Sequence, residues 1–184
     1  MSETTPRATA REQILNAYEE MLVESGPTAV TLEAVAKRAG VSKGGLLYHF
    51  GSKDALLQGL LDRLSEVNER DLANARSSPD GVLRYYLRTS FSDVTQEVQL
   101  HRSVLAAIQM LAHDSRAAEA LRNQFESWRE LLREHIADPL TAELVAMVGD
   151  GIYLNAVLGV PTTVIQDNVD EVLSRLDVLE EERT

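Results

Sequence analysis

The sequence predicts an all-α fold of about nine helices, and three observations predict it. Apolar residues recur at three- and four-residue spacing along most of the chain, the period of a helix with one buried face. The apolar set is mainly Leu, Ala and Val, with only 5% aromatic residues, a composition that suits helices. No stretch shows the two-residue alternation of a half-buried strand, and no internal repeat or low-complexity tract breaks the pattern. At 184 residues the chain is long enough to bury a real core.

The first helix is expected from Ala8 to Ser25, with Ile14, Leu15, Tyr18, Met21 and Leu22 as its buried stripe and Gly26-Pro27 as its stop. In the second, Leu32, Val35, Ala36 and Ala39 fall on one face. Thr31 stands where a hydroxyl caps exposed backbone N–H groups, and Gly40 is suited to the left-handed turn that ends the helix. Ser42 caps the third helix, whose inward residues are Leu46 and Phe50; Gly51 and Ser52 stop it and cap the next. The fourth carries Leu56, Leu57, Leu60, Leu61, Leu64 and Val67 before the cluster Ser77-Ser78-Pro79-Asp80-Gly81, the clearest break in the chain.

Five more helices are expected beyond it. Val82 to Val94 points Leu83, Tyr86, Leu87 and Phe91 inward, and Val98 to Ala112 does so with Val104, Leu105, Ile108 and Leu111. Ser115 to Ile136 uses Leu121, Phe125, Trp128, Leu132 and Ile136. Pro139 to Leu158 is apolar almost all round, which implies burial on more than one side. After Gly159-Val160-Pro161 a last helix, Thr162 to Leu179, spaces Ile165, Val169, Val172, Leu176 and Leu179 by alternating fours and threes. That spacing makes an apolar seam, and a symmetric homodimer is expected on the last two helices, Pro139–Leu158 and Thr162–Leu179; a last helix that caps the chain's own core would show the same spacing.

The second and third helices are spaced as a helix-turn-helix: small Ala36 for close contact, Gly40 for the reversal, Leu46 as core anchor. A net charge of −11 argues against nucleic acid, but its distribution points the other way. Residues 1–53 hold six Lys/Arg and six Asp/Glu, so all the excess acid lies in 54–184. Lys37, Arg38, Lys43 and Lys53 form a basic run with no acid between Glu33 and Asp54. A recognition helix meets duplex DNA through its first turn, here Ser42, Lys43, Gly44 and Gly45. Lys43 is the candidate donor to a base edge or a phosphate. The two glycines cost roughly 1 kcal/mol each in a helix; they either admit close approach of backbone to DNA or relieve crowding between helices.

Together these residues carry a resemblance. The run TLEAVAKRAGVSKGGLLYHFGSK, within Arg11 to Leu61, resembles the DNA-binding domain of the tetracycline-repressor-like (TetR) family, and the Tyr48-His49-Phe50 … Lys53 signature is specific to it. Many members carry an aromatic residue where this chain has Leu47. The resemblance implies that Tyr48, His49 and Lys53 clamp phosphates and that Thr31 makes a helix-2 contact; His49 serves equally as a hydrogen-bonding group inside the domain. It implies residues 1–53 as DNA-binding domain and 54–184 as helical ligand-binding and dimerisation domain.

In that second part Phe91, Gln109, Met110, Trp128, Asp150, Tyr153 and Asn155 are the candidate ligand residues. Asp150 and Asn155 interrupt the most apolar helix and need partners: a ligand, a dimer mate or a neighbouring helix. The expected effector is small and mostly apolar, with Asp150 favouring a donor or a cation.

Other function classes find little support. There is no cysteine, hence no disulfide or thiolate metal site. The residues three before His101, His113 and His135 are Val98, Met110 and Leu132, so the Glu-x-x-His pairs of di-iron bundles are absent and no metal or cofactor is expected. No serine sits in a Gly-x-Ser-x-Gly elbow and no phosphate loop follows a strand, so an enzyme is not expected. No signal peptide or membrane span is evident, which points to the cytoplasm. The expectation is a ligand-responsive homodimeric regulator, most simply a repressor, on a palindromic double-stranded operator. The competing reading is a helical binding protein or enzyme of this architecture without operator binding.

Overall fold

The computed structural model describes residues 8–95, 99–158, 160, 161 and 163–175, with backbone alone at 91–95, 156 and 166. Among these residues it is all-helical. The elements are α1 (Ala10–Ser25), a 3-10 turn (Pro27–Ala29), α2 (Leu32–Ala39), α3 (Lys43–His49), α4 (Lys53–Arg76), α5 (Val82–Thr95), α6 (Gln99–Met110), α7 (Ser115–His135), α8 (Pro139–Val157), α9 (Thr163–Gln166) and α10 (Val169–Arg175). They sort into two compact units, Met1–Leu64 with Arg102–Leu121 and Ser65–His101 with Arg122–Thr184. No described helix is long and apolar enough to cross a membrane.

The first unit is built on α1. Thr9 and Glu12 form a reciprocal capping box at its start, and Gly26, at φ 72°, turns the chain out of its end. Its stripe of Ile14, Leu15, Tyr18 and Leu22 is buried with Val35 and Ala36 of α2, Leu46 of α3, Phe50, and Leu56 and Leu60 of α4. Gly59 lies under the Phe50 ring, where a Cβ would come within 2.7 Å of it. Ala106 and Ala117 complete this core. The inward face of α6 differs from the expected one: Val104 is buried with Ser103, Ala106 and Ala107, while Ile108 and Leu111 are exposed. Small side chains allow close helix approach, and that requirement outweighed the size of the flanking residues.

The second unit packs α5 along α8 and α10 against α5, around Leu72, Leu87, Leu131, Leu132, Val145, Ile152 and Leu173. Arg84 of α5 forms an ion pair with Asp170 of α10. The expected single last helix is interrupted after Gln166. Asp167 N–H closes on the Thr163 carbonyl and Asn168 N–H on the Ile165 carbonyl, while the Asn168 side-chain amide donates to the Val164 carbonyl. Asp and Asn compete for backbone groups in this way, which is why they break helices that their neighbours would continue.

Candidate nucleic-acid interface and effector body

The turn between α2 and α3 is set by backbone hydrogen bonding. Thr31 Oγ1 accepts from Ala34 N–H at 3.1 Å and opens α2. Gly40 takes φ 69°, ψ 26°, the left-handed region that glycine enters freely. Val41 N–H reaches the Ala36 carbonyl at 3.0 Å and Gly40 N–H that of Lys37 at 3.3 Å, the paired closure of a Schellman stop. Two residues on, Ser42 Oγ accepts from Gly45 N–H at 3.0 Å and starts α3. Ser52 Oγ caps α4 through Ala55 N–H in the same manner.

With Leu46 and Phe50 anchored inward, the other faces of this segment meet solvent. Thr31, Ser42, Lys43, Gly44, Tyr48, His49 and Lys53 are all exposed, and Gly45 is half-buried. Tyr48 is 86% exposed, in a chain with few aromatic residues to leave in water. Its ring meets His49 edge-on at 5.1 Å. A Cβ on Gly44 would find only Ser42 Oγ, at 4.0 Å, so crowding between helices does not explain that glycine. At Gly45 the near atom is the same cap oxygen, at 3.3 Å.

The basic run divides by partner. Arg38 is held by Glu24 through Nη1 and Nη2, at 3.0 and 2.6 Å, and by Glu20 at 3.3 Å; it clamps α2 to α1. Lys43 Nζ sits 2.5 Å from Glu33 Oε1. That hydrogen bond, ahead of the charges of Lys43 and Lys53, holds the Glu33 carboxyl below its ordinary pKa. Neither acid partnership was legible in the sequence, since Glu20 and Glu24 lie on a different helix from Arg38, and Glu33 on a different helix from Lys43.

Behind this surface lies a buried polar cluster. Glu19, 1% exposed, accepts from Arg63 Nη1 at 3.1 Å and from Ser103 Oγ at 2.7 Å. Arg63 Nη1 also donates to Asn16 Oδ1 at 2.7 Å. The cluster joins α1, α4 and α6 within the first unit. Arg116, at the start of α7, adds an outer tie to Asp54 and Asp114 at 2.5 and 2.8 Å; its hydrogen bonds hold the Asp114 carboxyl down at about 2.

The expected ligand residues do not form one group. Gln109 is exposed and Met110 packs on the core of the first unit, whereas Trp128, Asp150, Tyr153 and Asn155 belong to the second. The Phe91 side chain lies outside the described residues. Trp128 is buried between Tyr85, stacked at 6.5 Å, and Tyr86 at 5.2 Å; its indole N–H donates to Asn68 Oδ1. Asp150 Oδ2 accepts from Arg129 Nη2 at 2.6 Å, its Oδ1 lies 3.1 Å from the Tyr86 hydroxyl, and Arg129 also reaches Glu143. Tyr153 pairs its hydroxyl with Nδ1 of buried His101 at 2.8 Å. Asn155 turns back on its own helix, donating to the Gly151 carbonyl. His101, Arg129 and Tyr86 are the residues that sequence reasoning missed here; their partners sit 21 to 64 positions away.

Of the expected seam, Ile165, Val169 and Val172 are half-buried against the core of their own unit, and Leu176 and Leu179 lie outside the described residues. Among the described residues, a row of exposed large apolar side chains runs along α8.

A short helix seated by a left-handed turn, with Leu46 fixed inward and hydroxyl, basic and aromatic groups outward, defines a helix-turn-helix regulator. Residues 14–60 match the model of bacterial regulatory proteins of the tetR family, and residues 80–180 match a tetracyclin repressor-like C-terminal domain. The chain is 30% identical over 164 residues to the HTH-type transcriptional regulator BetI of Stenotrophomonas maltophilia, covering 80% of this chain and 81% of that one. It is 34% identical over 97 residues to the regulator TtgR of Pseudomonas putida, about half of each chain. A TetR family member from Streptomyces coelicolor superposes with a TM-score of 0.70 at 24% identity, over 92% of this chain and 98% of that one. The multidrug binding protein EbrR complexed with malachite green superposes at 0.67 and 24%, over 90% and 96%. The chain therefore belongs to the TetR family and is a ligand-responsive, DNA-binding transcriptional regulator.

Proposed function

We propose that the protein is a homodimeric repressor that leaves a palindromic double-stranded operator when a small, mostly apolar molecule binds its C-terminal part. Residues 1–53 serve as the reading domain and 54–184 as the effector and dimerisation domain. Tyr48, His49 and Lys53 contact phosphates, Thr31 and Ser42 donate their hydroxyl protons to phosphate oxygens while their oxygens accept from Ala34 and Gly45 N–H, and Gly44 and Gly45 admit the duplex to the start of α3. The protein acts in the cytoplasm and carries no catalytic activity of its own.

The single observation that carries the dimer is the outer row of α8. Leu140, Leu144, Met147, Leu154 and Leu158 are between 43% and 67% exposed, and Gly151 fills the vacant step between Met147 and Leu154 with no atom near its Cβ direction. The spacing alternates four and three, as in a helix seam, so one large apolar face has no cover among the described residues. A single reading helix recognises only a short half-site, and two-fold pairing supplies the second. Of the two helices expected to pair, α8 is the one whose apolar row is exposed, while Ile165, Val169 and Val172 pack on the core of their own unit.

For the effector, Tyr153 and Asp150 are the polar guides. Asp150 already holds Arg129, so a cationic effector would compete with a guanidinium, and a neutral hydrogen-bonding molecule is the better fit. The neighbour complexed with malachite green shows only that this fold can hold an organic molecule; that dye is itself a cation and does not bear on the charge of the effector. The experiment is a mobility-shift titration on DNA flanking the protein's own gene, with and without a metabolite panel, beside light scattering. A dimer that shifts this DNA and is released by a panel member is expected. Leu144→Glu should give a monomer; a monomeric wild type at micromolar concentration would refute the pairing.

A further inference from the structure

The Lys43–Glu33 pair is an odd possession for a surface that approaches phosphates. Both side chains are well exposed, at 59% and 63%, and ion pairs in that setting contribute roughly 0–1 kcal/mol. Stability does not account for it. The carboxylate is repelled by the DNA backbone and competes with phosphates for the Lys43 ammonium. It gains only if it meets a donor, and the donors on the floor of the major groove are base amino groups.

We propose that Lys43 and Glu33 read one G·C base pair together, the ammonium donating to guanine O6 and N7 and the carboxylate accepting from the cytosine N4 amino group. This rests on the operator-binding reading above. Lysine favours the guanine acceptors and glutamate the cytosine amino group. In a G·C pair, guanine O6 and cytosine N4 are hydrogen-bonded to each other, so acceptor and donor lie side by side on the groove edge. Nζ and Oε1, 2.5 Å apart, present the complementary donor and acceptor side by side. The two residues come from different helices, α2 and α3, on either side of a turn closed by backbone hydrogen bonds. The motif thus fixes the backbone positions from which the two side chains meet. Lys53 lies near enough to act on the Glu33 charge and offsets its repulsion from the phosphates. The geometry makes Lys43 a reader of bases, with Glu33 as a specificity-determining partner.

The test is selection of binding sites from a randomised duplex pool with the full-length wild type and with Glu33→Gln, Glu33→Ala and Lys43→Ala. All substitutions are at exposed positions, and thermal melts check that each variant is folded. Wild type should enrich a G·C pair at one symmetric position of each half-site. Glu33→Gln should move that position to adenine, whose N6 and N7 an amide matches. Glu33→Ala and Lys43→Ala should each lower the preference at that same position by about tenfold and leave the others in place. Lys43→Ala should leave the salt dependence of binding unchanged. Unaltered preferences in both Glu33 variants would overturn the proposal, as would loss at two different positions in the Glu33→Ala and Lys43→Ala variants. A wild type that enriches no sequence at all overturns the operator reading, and this one with it.

Discussion

The Tyr86 ring of α5 lies so close on Gly149 of α8 that a Cβ at that glycine would overlap Cε1, Cζ and the hydroxyl oxygen. This approach lets the hydroxyl reach the Ala146 carbonyl at 2.9 Å and the Asp150 carboxylate at 3.1 Å. Burial, reinforced by Asp150, pushes the phenol well above its ordinary pKa, so it stays a donor. Gly149→Ala should improve helix propensity by roughly 1 kcal/mol but crowd the ring at a cost of about 1–3 kcal/mol. The melting temperature is expected to fall by several degrees. A higher melting temperature would mean that the ring moves aside freely and the contact has no structural weight.

The buried Glu19 predicts a steep and asymmetric response. Glu19→Gln leaves Arg63 charged and without its counter-ion inside the first unit, a change of about 3–5 kcal/mol. Ser103→Ala removes one hydrogen bond to the carboxylate and should cost about 1.5–3 kcal/mol. Urea midpoints decide: equal midpoints for Glu19→Gln and wild type would show the pair to be dispensable.

At the DNA surface, Lys53→Ala should weaken binding to every duplex alike. Loss of one phosphate contact lowers the slope of log affinity against log salt by about 0.9. Titrations at three or more salt concentrations measure it, and an unchanged slope removes Lys53 from the backbone contacts.

His101 sets a pH dependence. Desolvation lowers its pKa in the folded chain below the ordinary 6.5, so below that pH the unfolded state takes up a proton that the folded state refuses. Stability is therefore expected to fall as pH drops through 6.5, with the loss ending once the folded histidine itself protonates. His101→Asn should flatten the fall between pH 7 and 5 in denaturant titrations. The same curve for both proteins would assign the effect to other groups.

These features differ in how far the sequence reveals them. Thr31, Gly40, Ser42 and Leu46 announce the helix-turn-helix because caps, stops and anchors act within a few residues of themselves. The α8 row and the Ile165–Val172 row share one spacing, and spacing is blind to whether the covering surface belongs to the same chain. Gly149 is invisible for a related reason: only the ring that falls on it, sixty-three positions earlier, gives it meaning. Nor does the pattern reveal that Asn168 would prefer its neighbour's carbonyl to a continued helix.

The acids that hold Arg38 and Lys43 have an effect on search. Attraction to random duplex comes from unneutralised cations, and two of the four cations of the basic run, Arg38 and Lys43, are paired with Glu24 and Glu33. Random duplex is thus expected to hold this surface more weakly than four free cations would. Discrimination against wrong sites would then come from a lowered background rather than from a tighter grip.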